Sequence, residues 1–398
     1  KPDRRQRQMC IRDSSYTQDC AMLTDHTRRV DFPILEGQTY LNTAAEGIPP
    51  SGVLTALEEY ARDKLLGMDG RIPHAARRDA LCKKVATHFG LDETEIGICS
   101  CASEAFQLTA VALQLADTDE VIINDLDFPA GATPWLQPGC KAQVKIWRSR
   151  NGILEFEDLE ALLTSRTRVV SVSLVSFFNG FKLDLHTLAR VTREKSEALI
   201  AVDVTQAMGR VPLDLREADL VISATHKWIL GSHGGGLVGV PSRVAHRLTT
   251  RAGGWFHLEN AFEENRFDQV STRPGAPSFS TGMPNYPAIY AVDAALSYID
   301  QIGVSAIDAH CAPLMEICLD GLKSMGADLI SPNDLSALAG IIAFVHPNAK
   351  DIYEHLHQNN IHIMSHAGRL RIAIHGYNTP ADINRLLGEL HTALKLHG

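Results

Sequence analysis

Seven short runs of apolar, mostly β-branched residues alternate with stretches of helical periodicity between residues 95 and 242. A run that is apolar throughout predicts a strand buried on both faces, and helices between such strands predict right-handed crossovers and parallel pairing. The sequence therefore predicts an α/β fold with a mainly parallel seven-stranded sheet flanked by helices. The runs are EIGICS, EVIIND, QVKIW, RVVSVSLVS, ALIAVDVTQ, ADLVISATHK and GLVGVPS.

A change of composition ends this pattern. Residues 255–284 are polar and rich in proline and glycine, which is typical of a loop that crosses the surface. A long predicted helix, AIYAVDAALSYIDQIG, follows, and helices and strands then alternate to the C-terminus. We expect a large domain over residues 29–284, with an N-terminal arm, and a small C-terminal α+β domain over residues 285–398.

Residues 1–28 are charged and lack both apolar periodicity and the apolar segment of a signal peptide. We expect them to be a disordered or artefactual tail, with Met22 as the natural start. They are left out of the fold prediction.

The composition excludes several classes of protein. The 398 residues have a formal net charge of −9, whereas proteins that bind nucleic acids or anionic membranes have an excess of basic residues. The sequence has no run of about eighteen consecutive apolar residues, so we expect no membrane-spanning helix. The eight cysteines form no CxxC pair, which favours reduced thiols in a cytoplasmic protein over a disulfide framework or a metal site. We expect Cys99 and Cys101, which alternate near a strand end, to pack in the core.

Lys227 follows an apolar run and precedes three glycines, Gly234 to Gly236. It is either a solvated strand end or an amine held in a site for its chemistry. Ligands of parallel α/β sheets bind at the carboxyl ends of the strands, so the polar residues at those ends decide between the two. These residues are Ser100–Glu104, Asp125–Phe128, Ser176–Asn179, Asp203–Gln206 and Thr225–Lys227.

Asp203 ends the apolar run ALIAV, with Gln206 three residues later. Burial of the carboxylate would raise its pKa unless it faces a cation, and a protonated pyridine nitrogen is one such partner. The alternative is that Asp203 is the N-cap of a helix beginning at QAMG.

Two further strand ends offer groups that suit a cofactor. Ala102 and Ser103 stand between a strand and a helix, where free backbone N–H groups bind phosphate, although Ser103 with Glu104 also fits a capping arrangement. Phe128, before Pro129, is either an aromatic plate that stacks on a planar ring or a packed loop residue. An amine, an acid, an aromatic plate, an amide and a phosphate-binding turn together match pyridoxal 5′-phosphate (PLP).

Six segments in order resemble the class V aminotransferase family of the PLP-dependent fold type I superfamily. They are YLNTAAEG, ASEA, DFPAGATPW, AVDVTQAMG, SATHKW and RLRIAIHGYNTPADI. The resemblance runs from Tyr40 to the C-terminus and implies the PLP-dependent transferase fold type I. It also implies a homodimer in which residues 255–284 reach the neighbouring site.

The resemblance implies a role for each matching residue. Lys227 forms the Schiff base with PLP and then moves the substrate's α-proton. Asp203 pairs with the pyridine N–H, and Gln206 donates a hydrogen bond to the ring hydroxyl. The other implied contacts are Ala102, Ser103 and His226 with the phosphate, Phe128 stacked on the ring, and Arg371 with the substrate α-carboxylate. Arg371 could instead be an exposed strand residue, and Arg369 is a competitor for its role.

Three departures from the family pattern limit these expectations. Cysteine desulfurases place a histidine over the ring and a nucleophilic cysteine before the C-terminal arginine, but here Phe128 occupies the first position and NNIHIMSHAGRLR has no cysteine. We therefore expect the epimerase, kynureninase and small-aminotransferase branch rather than a desulfurase. Met283 stands where relatives have the Thr or Ser that contacts the partner's phosphate, so Thr281 or Ser280 takes over or one hydroxyl is missing. Ala224 replaces a common serine, which shifts the expected phosphate contact to Thr225 and backbone amides.

The expected activity is PLP-dependent chemistry on an amino acid, through an external aldimine and a Cα carbanion, most simply transamination. Racemisation or epimerisation and C–S or C–C lysis use the same carbanion and remain alternatives. A non-catalytic PLP-binding protein is the alternative from a different class.

Overall fold

The computed structural model describes residues 22–397, which form helices and strands in an alternating order. The helices are α1 (Asp25–Asp31), α2 (Ser51–Lys64), α3 (Arg71–Phe89), α4 (Ala102–Leu113), α5 (Pro129–Leu136), α6 (Phe156–Leu162), α7 (Leu185–Lys195), α8 (Tyr286–Ile302), α9 (Val304–Ser324), α10 (Ala349–Gln358) and α11 (Pro380–His397). The strands are β1 (Thr39–Tyr40), β2 (Ile96–Cys99), β3 (Glu120–Asn124), β4 (Gln143–Trp147), β5 (Thr167–Ser173), β6 (Leu199–Asp203), β7 (Leu220–Ala224), β8 (Gly236–Gly239), β9 (Asp328–Leu329), β10 (Ile341–Val345), β11 (Ile361–His362), β12 (Met364–His366) and β13 (Arg369–Ala373).

A seven-stranded sheet forms the centre of the larger part of the molecule. Its strand order is β2-β8-β7-β6-β5-β3-β4, and every pair from β7 to β4 is parallel. Strand β8 is antiparallel to both β7 and β2, because β7 reaches it through a loop rather than a crossover helix. The predicted α/β fold with a mainly parallel sheet is confirmed.

Helices cover both faces of this sheet, which explains why its strands are apolar throughout. Along β6, Ile200 and Val202 pack in the cluster formed with α3, α6, α7 and α8, whereas Leu199 and Ala201 pack in the cluster formed with α4 and α5. Successive side chains of a strand point to opposite faces, so no position of β6 faces water. The polar residues are left to the strand ends.

A second, antiparallel sheet lies in the C-terminal part of the chain, with strand order β12-β13-β10-β9. Helices α9, α10 and α11 share a hydrophobic core with it. Among residues 22–397, no single helix is long and apolar enough to cross a membrane, although α8 and α9 pass that test as a pair bent by 73°.

The N-terminal segment packs against this C-terminal core. Strand β1 pairs in parallel with β11, and Met22 and Phe32 are buried in the same cluster as the residues of β10 and β13. The disorder predicted for residues 1–28 is therefore wrong from Met22 onward, where α1 follows a Thr24 capping box and the Met22 side chain is 1% exposed. Residues 1–21 lie outside the described range, and the domain boundaries stay a prediction.

Helix α2 and most of α3 were not predicted as elements of the fold. Their buried positions form only a narrow stripe, Val53 and Ala56 in α2 and a set around Leu81 to Phe89 in α3. A helix that buries a narrow stripe has weak apolar periodicity, so the sequence signal is small.

The turn at residues 176–182 joins the two parts of the molecule. Gly180 accepts a hydrogen bond from Ala339 N, and Lys182 N donates to Ala337 O at 2.8 Å. Gly180 has φ +80°, and a Cβ at this position would lie 2.2 Å from the Ile341 carbonyl oxygen. Only glycine allows both this backbone conformation and this approach.

Gly180→Ala should lower the free energy of unfolding by about 3 kcal/mol, because a left-handed alanine costs about 1 kcal/mol and the clash with Ile341 adds 1–3 kcal/mol. Gly37→Ala is the matched control, since Gly37 has φ +78° but no atom within 4 Å of the added Cβ. Urea unfolding of both variants measures the difference. Equal losses in the two variants would contradict the close approach at Gly180.

Candidate active site

A cavity of about 1070 Å³ opens where the carboxyl ends of the parallel strands face the C-terminal sheet. Its walls come from the ends of β5, β6 and β7, the starts of α4 and α5, the turn after β1, and strands β12 and β13. The lining residues include Ala44, Ala45, Cys101, Ala102, Ser103, Phe128, Phe177, Phe178, Asp203, Thr205, Gln206, His226, Lys227, Met364, Ser365, His366, Arg369 and Arg371. Most of the residues singled out from the sequence therefore meet in one place.

Lys227 points into this cavity rather than into solvent, so it is not a solvated strand end. Its Nζ lies 5.0 Å from the centroid of the Phe128 ring. Burial lowers the pKa of Lys227 to about 8, against the opposing effect of Asp203, and the positive charge of Arg371 lowers it further. Such an amine is neutral in a much larger fraction of molecules at neutral pH than an ordinary lysine, and a neutral amine is the nucleophile.

The turn after β1 fixes the backbone of Lys227. Gly47 N donates a hydrogen bond to His226 O at 2.8 Å, and a Cβ at Gly47 would lie only 1.9 Å from the Lys227 carbonyl oxygen. This position therefore requires glycine, and the turn sets the point from which the lysine side chain enters the cavity.

Asp203 ends β6 with its side chain 7% exposed. Burial raises the pKa of this carboxyl, while the hydrogen bond from Thr205 N, 2.7 Å long, and the charge of Lys227 oppose the rise. A turn, not a helix, follows β6, so the N-cap interpretation is wrong. Within the described residues the carboxylate forms no salt bridge, which leaves it suited to a cationic ligand group.

Two hydrogen bonds hold the Gln206 side chain. Its Nε2 donates to Ala44 O at 3.1 Å, and its Oε1 accepts from Trp228 Nε1 at 2.6 Å. Trp228 is fully buried, so Gln206 is set rigidly beside the cavity, with one amide hydrogen still free to donate.

The first residues of α4, Ala102 and Ser103, line the cavity. In the described part of the chain, no side chain caps this helix at Cys101. Glu104 instead turns back to Ser100, whose N and Oγ each donate to its carboxylate at 2.6 Å. The alternative interpretation of Ser103 with Glu104 as a capping arrangement is therefore not supported, and the first-turn N–H groups are left for an anion.

Cys99 and Cys101 differ in their surroundings. Cys99 is buried as expected, but Cys101 is exposed and lines the cavity, so the prediction of core packing is wrong for Cys101. Strand β2 ends before Cys101, and the side-chain alternation that the prediction assumed ends with it. The glycines after Lys227 pack here: a Cβ at Gly236 would lie 2.5 Å from the Cys101 backbone.

Phe128 is 41% exposed at the start of α5 and faces the cavity, which excludes the packed-loop interpretation. Its ring makes an edge contact with Phe177, with ring centroids 5.0 Å apart. Asp127, to which the sequence assigned no role, holds this turn: its half-buried carboxylate accepts hydrogen bonds from Ser173 N and Asn124 Nδ2, each 2.7 Å long. Burial raises the pKa of Asp127 to about 7, and the nearby Asp203 adds to the rise.

The structure separates the residues expected around the phosphate. His226 lines the cavity and stacks on His233, with ring centroids 4.5 Å apart. Thr225 is fully buried away from the cavity, and its hydroxyl donates to Ser232 O at 2.7 Å, so the expected contact through the Thr225 side chain is not formed. Thr225 follows the end of β7 and does not line the cavity, whereas Thr205, for which no phosphate contact was predicted, does line it.

Thr281 does not line this cavity. Its backbone carbonyl accepts from Trp255 N at 3.0 Å. The expected contact with a partner's phosphate stays a prediction. Glu46, His226 and His233 bring potential metal-ligand atoms within 4.8 Å of one another, but Glu46 and His233 are exposed.

Arg371 and Arg369 project from β13 into the cavity, with exposures of 4% and 6%. The Nη1 of Arg371 donates to Phe177 O at 2.9 Å, and its buried Nε has no hydrogen-bond partner among residues 22–397. The exposed-strand interpretation of Arg371 is therefore wrong. Burial lowers the pKa of Arg371 to about 10, and Arg369 lowers it further.

The residues present fit PLP. The cavity is large enough for the cofactor and an amino acid, and it combines a desolvated amine, a buried carboxylate and an uncapped helix start. The unpartnered Nε of Arg371 marks a place for a carboxylate.

The aminotransferase class-V family model matches residues 39–386. The chain is 27% identical over 365 residues to a Bacillus subtilis (strain 168) protein named uncharacterized aminotransferase YcbU, a match that covers 90% of this chain and 95% of that protein. It is 26% identical over 429 residues to a probable cysteine desulfurase of Streptomyces coelicolor, covering 96% and 100% of the two chains. The expected exclusion of desulfurases is not confirmed by these relatives.

Solved structures share the fold. The apo cysteine desulfurase of Thermococcus onnurineus superposes with a TM-score of 0.84 at 20% identity, covering 94% of this chain and 99% of that one. A mutant of C-DES with glycine covalently linked to its PLP cofactor gives a TM-score of 0.83 at 21% identity, covering 91% and 98%. The fold is thus the PLP-binding fold type I expected from the sequence, and the chain belongs to the aminotransferase class-V family.

Proposed function

We propose that this protein is a PLP-dependent aminotransferase that moves the amino group of an amino acid to a 2-oxo acid. The observation that carries the proposal is the convergence of the Lys227 amine, the Asp203 carboxylate and the Arg371 guanidinium on one enclosed cavity. Each of these groups is costly to bury without a partner, and PLP with an amino acid supplies a partner for each.

Different residues around the cavity would hold different parts of the cofactor. The N-terminus of α4, with Ala102 and Ser103, would hold the phosphate together with His226. Asp203 would keep a proton on the pyridine nitrogen, because a buried carboxylate strongly favours a cation beside it. Gln206 would donate its free amide hydrogen to the ring hydroxyl, and Phe128 would lie against the ring. When bound, PLP supplies an electron sink for a bond broken at the substrate Cα.

Residues of this chain would bind the substrate and move its proton. Arg371 would bind the α-carboxylate through the Nε that now lacks a partner, and its hydrogen bond to Phe177 O holds the guanidinium in place. Lys227 Nζ would take the proton from Cα and return it elsewhere on the reacting system. The lowered pKa of Lys227 suits this role, since a base works best when its pKa lies near the working pH.

C–S bond cleavage in a sulfur-containing amino acid is the second candidate. The names of several relatives favour it, as does the exposed Cys101 thiol at the cavity wall. Against it stands the segment of residues 361–371, which lines the cavity through Met364, Ser365 and His366 but contains no cysteine. Phe128 in place of a histidine over the ring also favours transamination. We also propose that the protein is a homodimer in which the partner subunit completes the phosphate site. Its proposed location is the cytoplasm.

The PLP-loaded protein should convert an amino acid and a 2-oxo acid into a new pair of each. Lys227→Ala should lower the rate by at least about a thousandfold, because proton transfer at Cα loses its base. Lys141→Ala is the control, since Lys141 is exposed outside the cavity, and it should keep the wild-type rate. Chromatography of products measures the outcome. Sulfide release from cysteine, or a change of stereochemistry without use of the 2-oxo acid, would contradict transamination.

The rate at which the cofactor-free protein takes up PLP should rise as the pH passes through about 8. The neutral Lys227 amine is the reacting form, and burial lowers the pKa of Lys227 to about 8. Arg371→Gln should move the midpoint to higher pH, because Arg371 lowers the pKa of Lys227. Stopped-flow absorbance over the pH range measures the midpoint. A midpoint near about 10.4, the value of an ordinary lysine, would contradict the buried amine.

A further inference from the structure

The cavity contains one more buried arginine than the single carboxylate of an ordinary amino acid can neutralise. Arg369 and Arg371 lie two residues apart on β13 and therefore on the same face of the strand. Both line the cavity, and neither forms a salt bridge with any residue that the structure describes. The α-carboxylate of a substrate accounts for Arg371, which leaves Arg369 without an anion.

The two guanidinium groups are held side by side by neutral partners. The Nη1 of Arg369 donates to Phe178 O and the Nη1 of Arg371 donates to Phe177 O, each at 2.9 Å. The two acceptor carbonyls belong to consecutive residues, whose Cα atoms lie about 3.8 Å apart, so one short turn anchors both guanidinium groups. Each guanidinium has five N–H donors, so most of the donors remain for a ligand.

Aromatic rings fix Arg369 without neutralising it. Its guanidinium carbon lies 4.2 Å from the centroid of the Phe178 ring and 5.5 Å from that of Phe177. A cation against aromatic faces is held in position but keeps its full charge. The Phe177–Phe178 turn thus presents a desolvated positive charge to the cavity.

The balance of charged groups in the whole cavity lining also favours an anionic ligand. Among its lining residues the carboxylate is Asp203, and the cations that stay charged at neutral pH are Arg369 and Arg371, whereas the Lys227 amine would be taken up by the cofactor. Asp203 is committed to the cofactor ring in the proposed function, and the cofactor phosphate is assigned to the start of α4. Unneutralised buried cations bind anions strongly, because water does not screen them.

We propose that the substrate is an acidic amino acid, whose side chain ends in a carboxylate or an isosteric oxyanion bound by Arg369 while Arg371 binds the α-carboxylate. The assignment of the α-carboxylate rests on the proposed function. The preference for two anionic groups rests on the two arginines and their surroundings alone.

Non-reactive dicarboxylates test the proposal without depending on catalysis. Calorimetry with the PLP-loaded protein would compare succinate and glutarate with butyrate and valerate, which have the same chain lengths but one carboxylate. We expect each dicarboxylate to bind at least about tenfold more tightly, as one further charge-assisted hydrogen-bonded contact provides. Equal affinity for succinate and butyrate in the wild-type protein would overturn the proposal.

Variants separate anion binding by Arg369 from a purely positioning role. Arg369→Gln should weaken succinate and glutarate by about tenfold and leave butyrate within about twofold, and Arg369→Lys should retain part of the dicarboxylate preference. Arg216→Gln, at an exposed surface site, should change neither. Equal weakening of all four ligands by Arg369→Gln would mean that Arg369 only positions the Phe177–Phe178 turn, and this outcome would also overturn the proposal.

The two proposals fail separately. If dicarboxylates bind through Arg369 but no amino acid reacts, the anionic specificity stands and transamination fails. If neutral amino acids are transaminated and dicarboxylates show no preference, transamination stands and the acidic substrate fails.

Discussion

The burial of the Lys227 amine is the constraint on which the rest of the site depends. An amine taken out of water loses its proton more readily, and this chain achieves that state by enclosing Lys227 among strand ends, an aromatic ring and a second cation. Asp203 opposes the effect, so the amine is held between a carboxylate that favours its charge and an arginine that disfavours it. The balance leaves a lysine whose pKa is close to neutral pH, which is what both cofactor binding and proton transfer require.

Two separate turns of the backbone maintain this balance. The turn after β1 packs on the Lys227 carbonyl through Gly47, and the same turn accepts the Gln206 side chain at Ala44 O. The turn at residues 176–182 docks on the C-terminal sheet through Gly180 and presents the carbonyls that hold Arg369 and Arg371. The two guanidinium charges thus come from the C-terminal sheet, but their positions are set by the turn at residues 176–182, which follows β5 of the central sheet. Movement between the two sheets would change the distance between Lys227 and the arginines.

The sequence predicted the central sheet and most of the site because both follow simple rules. Apolar runs identify strands buried on both faces, and polar residues at their carboxyl ends identify the ligand side, which located Asp203, Phe128 and Lys227 together. The errors concern residues whose side-chain direction the sequence does not determine and helices whose apolar pattern is weak. Thr225 lies in the right segment but points away from the cavity, Cys101 lies beyond the strand that would have buried it, and α2 and α3 bury too narrow a stripe to be recognised. The ordered segment from Met22 was missed because much of the core that it joins lies far along the chain, as in the contact of the Phe32 ring with the Tyr377 ring. The only sequence signal for Asp127 was an acidic residue near the end of a strand.

The most direct test of the account is to find which residue carries the cofactor. The PLP-loaded protein would be reduced with borohydride, digested with a protease and examined by peptide mass spectrometry. The account predicts a single modified peptide with the pyridoxyl group on Lys227. It also predicts the loss of that peptide in Asp203→Ala protein under limiting PLP, because the proposed contact of Asp203 with the bound ring would be missing. A stable label on another lysine, or no label on a protein that contains bound PLP, would contradict the central role of Lys227.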